Sequence, residues 1–150
     1  MTKLYALIIL LVSLIACAGE KPYDEHADAR TVIAKTAAEA KAAKLPVIII
    51  FGANWCPDCR GLSDTIEHGK NALQIANEFK IVKVNVGNFD TNLDVAKTYG
   101  NPIAGGIPGA AILSFDGKLI YVTKPGELAT ARSQSDEGIY NFFKTVTHVN

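Results

Sequence analysis

The chain has 150 residues, 49% of them hydrophobic, and its 15 basic residues balance 15 acidic ones. That length supports one modest core and not two independent ones. With no net charge, no basic run and no basic stripe interleaved with aromatics, the composition weighs against a nucleic-acid partner, because nothing would compensate phosphate charge.

From the N-terminus, Lys3 supplies a short positive region ahead of an apolar run over residues 4–16. The run is too short for a comfortable permanent bilayer span, and with that flank it reads as an export signal over residues 1–16. It ends in Leu14-Ile15-Ala16-Cys17, which resembles the bacterial lipobox. The resemblance implies cleavage before Cys17 and a lipid anchor on Cys17, placing the protein on the extracytoplasmic, periplasmic side of a bacterial membrane. An ordinary secretory signal with an incidental Cys17 is the plainer alternative. Residues 17–25 hold Gly19 and Pro22 without apolar periodicity and read as a tether. Residues 26–150 then form a single domain.

Ala29, Ile33, Ala37 and Ala40 lay a small apolar stripe along a first helix that ends near Lys44, where Pro46 stops it. Lys35, Glu39 and Lys41 make its solvated face. Residues 47–51 are an unbroken β-branched and aromatic run, the pattern of a central strand covered on both faces. A helix is predicted from Pro57 to His68, with Leu62 and Ile66 on one face and Pro57 in its first turn, where a missing N–H costs little. Residues 71–79 continue as helix and residues 81–86 as a second strand. The polar stretch 88–101 holds a short helix around residues 93–99. Residues 110–115 and 118–123, joined by Asp116-Gly117, predict a hairpin with a primed two-residue turn. Ile139, Phe142, Phe143 and Val146 fall at i, i+3, i+4 and i+7, a closing amphipathic helix begun near Ser135 or Asp136.

Between the first strand and the second helix lies Trp55-Cys56-Pro57-Asp58-Cys59. Two thiols one helical turn apart can close a Cys56–Cys59 disulfide through a short ring and pass it to another protein. If Cys17 is acylated, these two cysteines alone remain for redox chemistry, in a compartment where disulfides persist. Half of a zinc site is the competing reading. It fails on ligand count, since there is no second CxxC and His26, His68 and His148 show no matching pair spacing, so no metal is expected. A Cu(I) carrier using the thiol pair is the alternative from a different functional class, although the single Met is the first residue and no extra His set accompanies the cysteines.

Residues 51–59, with Ile107-Pro108 ahead of a strand and Lys83 in the second strand, resemble the thioredoxin-like family. The likeness covers about residues 27–149. It implies an α/β thioredoxin fold, a central mixed sheet flanked by helices, here with an added N-terminal helix. It also implies that Pro108 is cis and faces the CxxC, exposing a backbone edge that pairs with an extended substrate. Ile107 resembles the residue of the reductants. Trp55, beside an exposed thiol, is expected to offer partners a flat apolar platform.

Cys56, at the helix N-terminus, is expected to attack and Cys59 to resolve the mixed disulfide. Asp58 disfavours a second negative charge near Cys56. One departure stands out: many thioredoxins bury an acid six residues before the first cysteine, and here that residue is Ile50. The proton relay therefore does not carry over, and Lys83, without its usual partner, reads as a snorkelling strand residue. The loop over residues 87–92 has no assigned place. Together these features predict a monomeric protein-disulfide oxidoreductase, favouring reduction or isomerisation over oxidation. It would need no cofactor, would act on protein disulfides, and would be recharged by a partner such as a membrane electron importer.

Overall fold

The computed structural model describes residues 21–148; the expected signal, Cys17 and the first part of the expected tether lie outside the described residues. Within them, α1 (Ala29–Ala43), β1 (Val47–Gly52), α2 (Pro57–His68), α3 (Ala72–Glu78), β2 (Lys80–Asn85), α4 (Leu93–Thr98), β3 (Gly109–Leu113), β4 (Leu119–Val122) and α5 (Asp136–Thr147) follow one another. A single 3₁₀ turn, Ala131–Ser133, precedes α5. The sheet order is β2-β1-β3-β4, with β1 parallel to β2 and antiparallel to β3. No helix among the described residues is long and apolar enough to cross a membrane.

Every residue of β1 is buried, as its unbroken apolar run requires. The two-residue period of a strand sends its side chains alternately to two faces. Ile48 and Ile50 join Cys56, Cys59, Leu62 and the α5 residues Ile139 and Phe143 in one core. Val47, Ile49 and Phe51 join Ile33, Ala40, Val95 and Ala96 in the other. Burying each of these large side chains contributes about 2 kcal/mol. Local signals set the helix ends: Asp28 accepts a hydrogen bond from Thr31 N at 2.7 Å to open α1, and Ser135 accepts one from Gly138 N at 3.1 Å to open α5.

The hairpin forms, but its turn differs from the expected two-residue one. Gly117 N donates to Ser114 O at 2.9 Å and Ser114 N to Lys118 O at 2.8 Å, so the turn spans residues 114–117. A primed two-residue turn of the Asn-Gly or Asp-Gly type needs positive φ at both central positions; here Gly117 adopts φ 88° and Asp116 does not join it.

The expected tether is docked from Tyr23 onward. Tyr23 is 1% exposed and belongs to the core beneath the CxxC. Its backbone is held from both sides by Asn54, which accepts from Tyr23 N at 3.0 Å and donates to Tyr23 O at 2.8 Å. A large ring with a slot to fill gains more from burial than a polar segment loses by being ordered.

Candidate active site

The strand-to-helix junction from β1 into α2 carries both cysteines. Cys56 is the residue that caps α2: its backbone is still extended, Pro57 opens the helix, and its Sγ accepts a hydrogen bond from Cys59 N at 3.2 Å. A sulfur so placed takes up one of the N–H groups that a helix start leaves unpaired. On its other side, Cys56 Sγ lies 3.6 Å from Ile107 O, and the Ile107–Pro108 peptide is cis. The structure thus brings Cys56, Cys59, Ile107 and Pro108 together. Both thiols are unbonded.

Cys56, expected to be the attacking thiol, is not the exposed group that the sequence suggested. Cys56 is 4% exposed and Cys59 0%, whereas Trp55 is 52% exposed. The loop containing Pro108 lies against the Cys56 sulfur and screens it, leaving the indole as the open apolar surface of the site. Burial pushes the Cys59 thiol far above its ordinary range, and its hydrogen bond with Cys56 and the charges of Cys56 and Asp58 push the same way. A backbone hydrogen bond from Ala53 opposes them.

Sequence reasoning missed the groups that surround these residues. Asp58 Oδ1 accepts from Arg132 N at 3.3 Å and lies 3.7 Å from Arg132 Nε. The 3₁₀ turn carrying Arg132 packs so closely on α2 that a Cβ at Gly61 would sit 2.6 Å from the Arg132 Cβ. Trp55 Nε1 donates to Gly87 O at 2.9 Å, and the Phe89 ring lies 6.3 Å from the indole at 60°. The loop over residues 87–92 therefore borders the site. Lys83 is no mere snorkelling residue: its Nζ donates to Ser63 Oγ at 2.6 Å and pairs with the Glu67 carboxylate, both on α2. Its partner comes from the helix and not from the neighbouring strand, where Ile50 sits in register beside it.

Ile50 is 1% exposed and offers no proton acceptor. The polar atom beneath the thiols is the Tyr23 hydroxyl instead, and burial followed by the charges of Cys59 and Cys56 holds this phenol well above its ordinary range. The signal for Tyr23 was a lone aromatic in a polar stretch, together with a glycine at position 52 on the same strand face as Ile50. Among the described residues, no group of three or more His, Cys, Asp or Glu side chains converges to hold a metal ion.

Comparison with known proteins agrees with this fold. The chain resembles the crystal structure of a disulphide isomerase from Xylella fastidiosa Temecula1 at 50% identity and TM-score 0.81, covering 86% of this chain and 98% of that one. The C-terminal domain of Neisseria meningitidis DsbD in its reduced form shares the fold at 20% identity and TM-score 0.56, over 79% of this chain and 96% of that one. Thioredoxin 1 of Synechococcus elongatus (strain ATCC 33912 / PCC 7942 / FACHB-805) is 36% identical over 62 residues, 41% of this chain. That match spans about half, 53%, of the Synechococcus protein. The family profile described as Thioredoxin-like matches residues 28–114, more than half of the sequence, and the chain belongs to the thioredoxin-like family.

Proposed function

We propose that the protein is an extracytoplasmic thiol-disulfide oxidoreductase that reduces or isomerises disulfides in other proteins. The observation that carries the reading is the position of Cys56 Sγ, which takes the Cys59 N–H at 3.2 Å and faces the Ile107 carbonyl at 3.6 Å. A substrate strand laid along the Ile107-Pro108 edge, against Trp55, brings its disulfide to that sulfur.

Cys56 thiolate attacks one substrate sulfur and the other leaves with the electron pair, taking up a proton. Cys59 then attacks Cys56 Sγ, the second substrate thiol departs, and the Cys56–Cys59 disulfide remains. Two electrons and two protons pass from the pair to the substrate, and a dithiol partner, such as a membrane electron importer, restores them. When the substrate instead rearranges and re-attacks Cys56, the outcome is isomerisation. The 50% identity to a protein described as a disulphide isomerase supports this side of the assignment. In this reading residues 1–16 are removed, Cys17 carries lipid, and a short tether holds a monomeric domain to the membrane. Radiolabelled fatty acid incorporated into the wild type and lost in Cys17→Ala tests the anchor.

Cys59→Ala retains the attacking thiol and lacks the resolving one. Incubated with insulin, it accumulates a mixed disulfide through Cys56, separable on non-reducing gels, and loses catalytic turnover. An absence of adduct, together with undiminished insulin reduction, overturns the assignment. Equilibration of the Cys56–Cys59 couple with glutathione fixes direction: a strongly negative potential supports the reductant, and a high one makes the protein an oxidant.

A further inference from the structure

Resting on the exchange reaction just proposed, one step in it lacks an obvious helper. Cys59 must lose its proton to attack the mixed disulfide, yet it is fully buried, and the charges around it oppose ionisation. At the start of α2 the charges of Cys56 and Asp58 bear on it, while Glu67 of the same helix is tied to Lys83 of β2; Arg132, from the 3₁₀ turn, pairs with Asp58. Ile50, on the strand below, has nothing to give.

The Tyr23 hydroxyl is the buried side-chain polar atom left without a hydrogen-bond partner among the described residues. Such an orphan calls for an explanation. Its ring stands where residue 52 has no side chain, in the same cluster as Cys56 and Cys59. Asn54, two residues before Cys56, clamps its backbone on both sides and donates again to Glu25 at 2.9 Å, so the ring's place is coupled to the active-site turn. Of the two sulfurs in its cluster, Cys59 is the one whose charge bears more strongly on the hydroxyl, ahead of Cys56.

We infer that Tyr23, from the segment ahead of the domain, donates a hydrogen bond to Cys59 Sγ as it becomes a thiolate, in place of an acid in the central strand. A thiol is a weak acceptor and a thiolate a strong one, so the donor that is unpaired in the resting dithiol is satisfied when charge develops. Tyr23 keeps its own proton throughout. The Cys59 proton passes to the departing substrate sulfur, the Cys56–substrate S–S bond breaks with its electron pair on that sulfur, and the Cys56–Cys59 bond forms.

The test is stopped-flow reaction of the reduced full chain with dithionitrobenzoate. Attack by Cys56 releases one thionitrobenzoate, and attack by Cys59 on the adduct releases the second. Tyr23→Phe keeps the ring and removes the oxygen. It is expected to leave the first phase unchanged, slow the second about tenfold at neutral pH, and move the second-phase pH profile upward, with the unfolding midpoint unchanged or slightly raised. Asn54→Ala, which frees the ring, slows the second phase in the same direction. A second phase in Tyr23→Phe with wild-type rate and pH profile overturns the inference and leaves the exchange reading standing. A wild-type chain that never releases the second thionitrobenzoate overturns both.

Discussion

Tyr23 occupies the space that a side chain at Gly52 would need. A Cβ at position 52 would lie 2.5 Å from both the Tyr23 ring carbon Cζ and its hydroxyl oxygen, well inside contact distance. Strand, N-terminal segment and active-site turn are thereby locked to one another, because the residue that clamps Tyr23 is Asn54.

Gly52→Ala should accordingly cost about 1–3 kcal/mol through overpacking. The penalty should shrink in a Tyr23→Ala background, where the methyl finds room. Urea midpoints for the four members of this cycle measure the coupling. Equal penalties in both backgrounds would mean that the two residues do not compete for space.

The Lys83–Glu67 pair should matter more than its surface counterpart. Lys83 is 16% exposed and Glu67 37%, while Arg30 and Asp94, also paired, are 62% and 71% exposed. Water screens the exposed pair, so a double-mutant cycle on Lys83→Met and Glu67→Gln should return about 1 kcal/mol of coupling, and the same cycle on Arg30 and Asp94 nothing measurable. Repeating both in high salt should leave the first largely intact.

Asp58 raises the cost of a Cys59 thiolate, and Arg132 tempers Asp58. Asp58→Asn should therefore quicken resolution of the mixed disulfide and move its pH profile downward, and Arg132→Ala should do the reverse, each by about threefold to tenfold. Second-phase rates between neutral and alkaline pH read this directly.

Stability should fall on the alkaline side. Cys59 and Tyr23 both ionise at higher pH in the folded chain than their ordinary values of 9.0 and 10.0. Below those values both states of the chain keep the protons, and folding is unaffected. Above them the unfolded chain releases protons that the native chain retains, so stability drops as pH rises past about 9. In the reduced protein, urea midpoints should decline from there, with Cys59→Ala removing the earlier part of the decline and Tyr23→Phe the later part. A flat profile through this range would contradict both shifts.

Phe89, 42% exposed and tilted against Trp55, extends the apolar surface beside Cys56. Phe89→Ala should raise KM for a disulfide in an extended apolar peptide about fivefold, roughly 1 kcal/mol, while leaving reaction with dithionitrobenzoate unchanged. Equal loss with both substrates would point to distortion of the loop over residues 87–92.

The elements and the reacting pair could be read from sequence because their causes are local. An unbroken run over residues 47–51 has to be a two-sided strand, Pro57 and a following turn of α2 set the two sulfurs one turn apart, and the spacing of Ile139, Phe142, Phe143 and Val146 is itself the face of a helix. The geometry of the hairpin turn was also local but finely balanced, and Gly117 alone took the left-handed conformation.

The environment of the cysteines was not local, and tertiary structure alone decided it. Tyr23 reaches Gly52 across 29 residues of chain, Arg132 reaches Asp58 across 74, and Phe89 reaches Trp55 across 34. No periodicity or spacing records such meetings, since they depend on which segment fills the space another leaves. The sequence determined that Cys56 and Cys59 would sit together at a helix start. Folding decided that a phenol from outside the expected domain, and not a carboxylate from the strand, lies beneath them, because a glycine at position 52 left room for a ring.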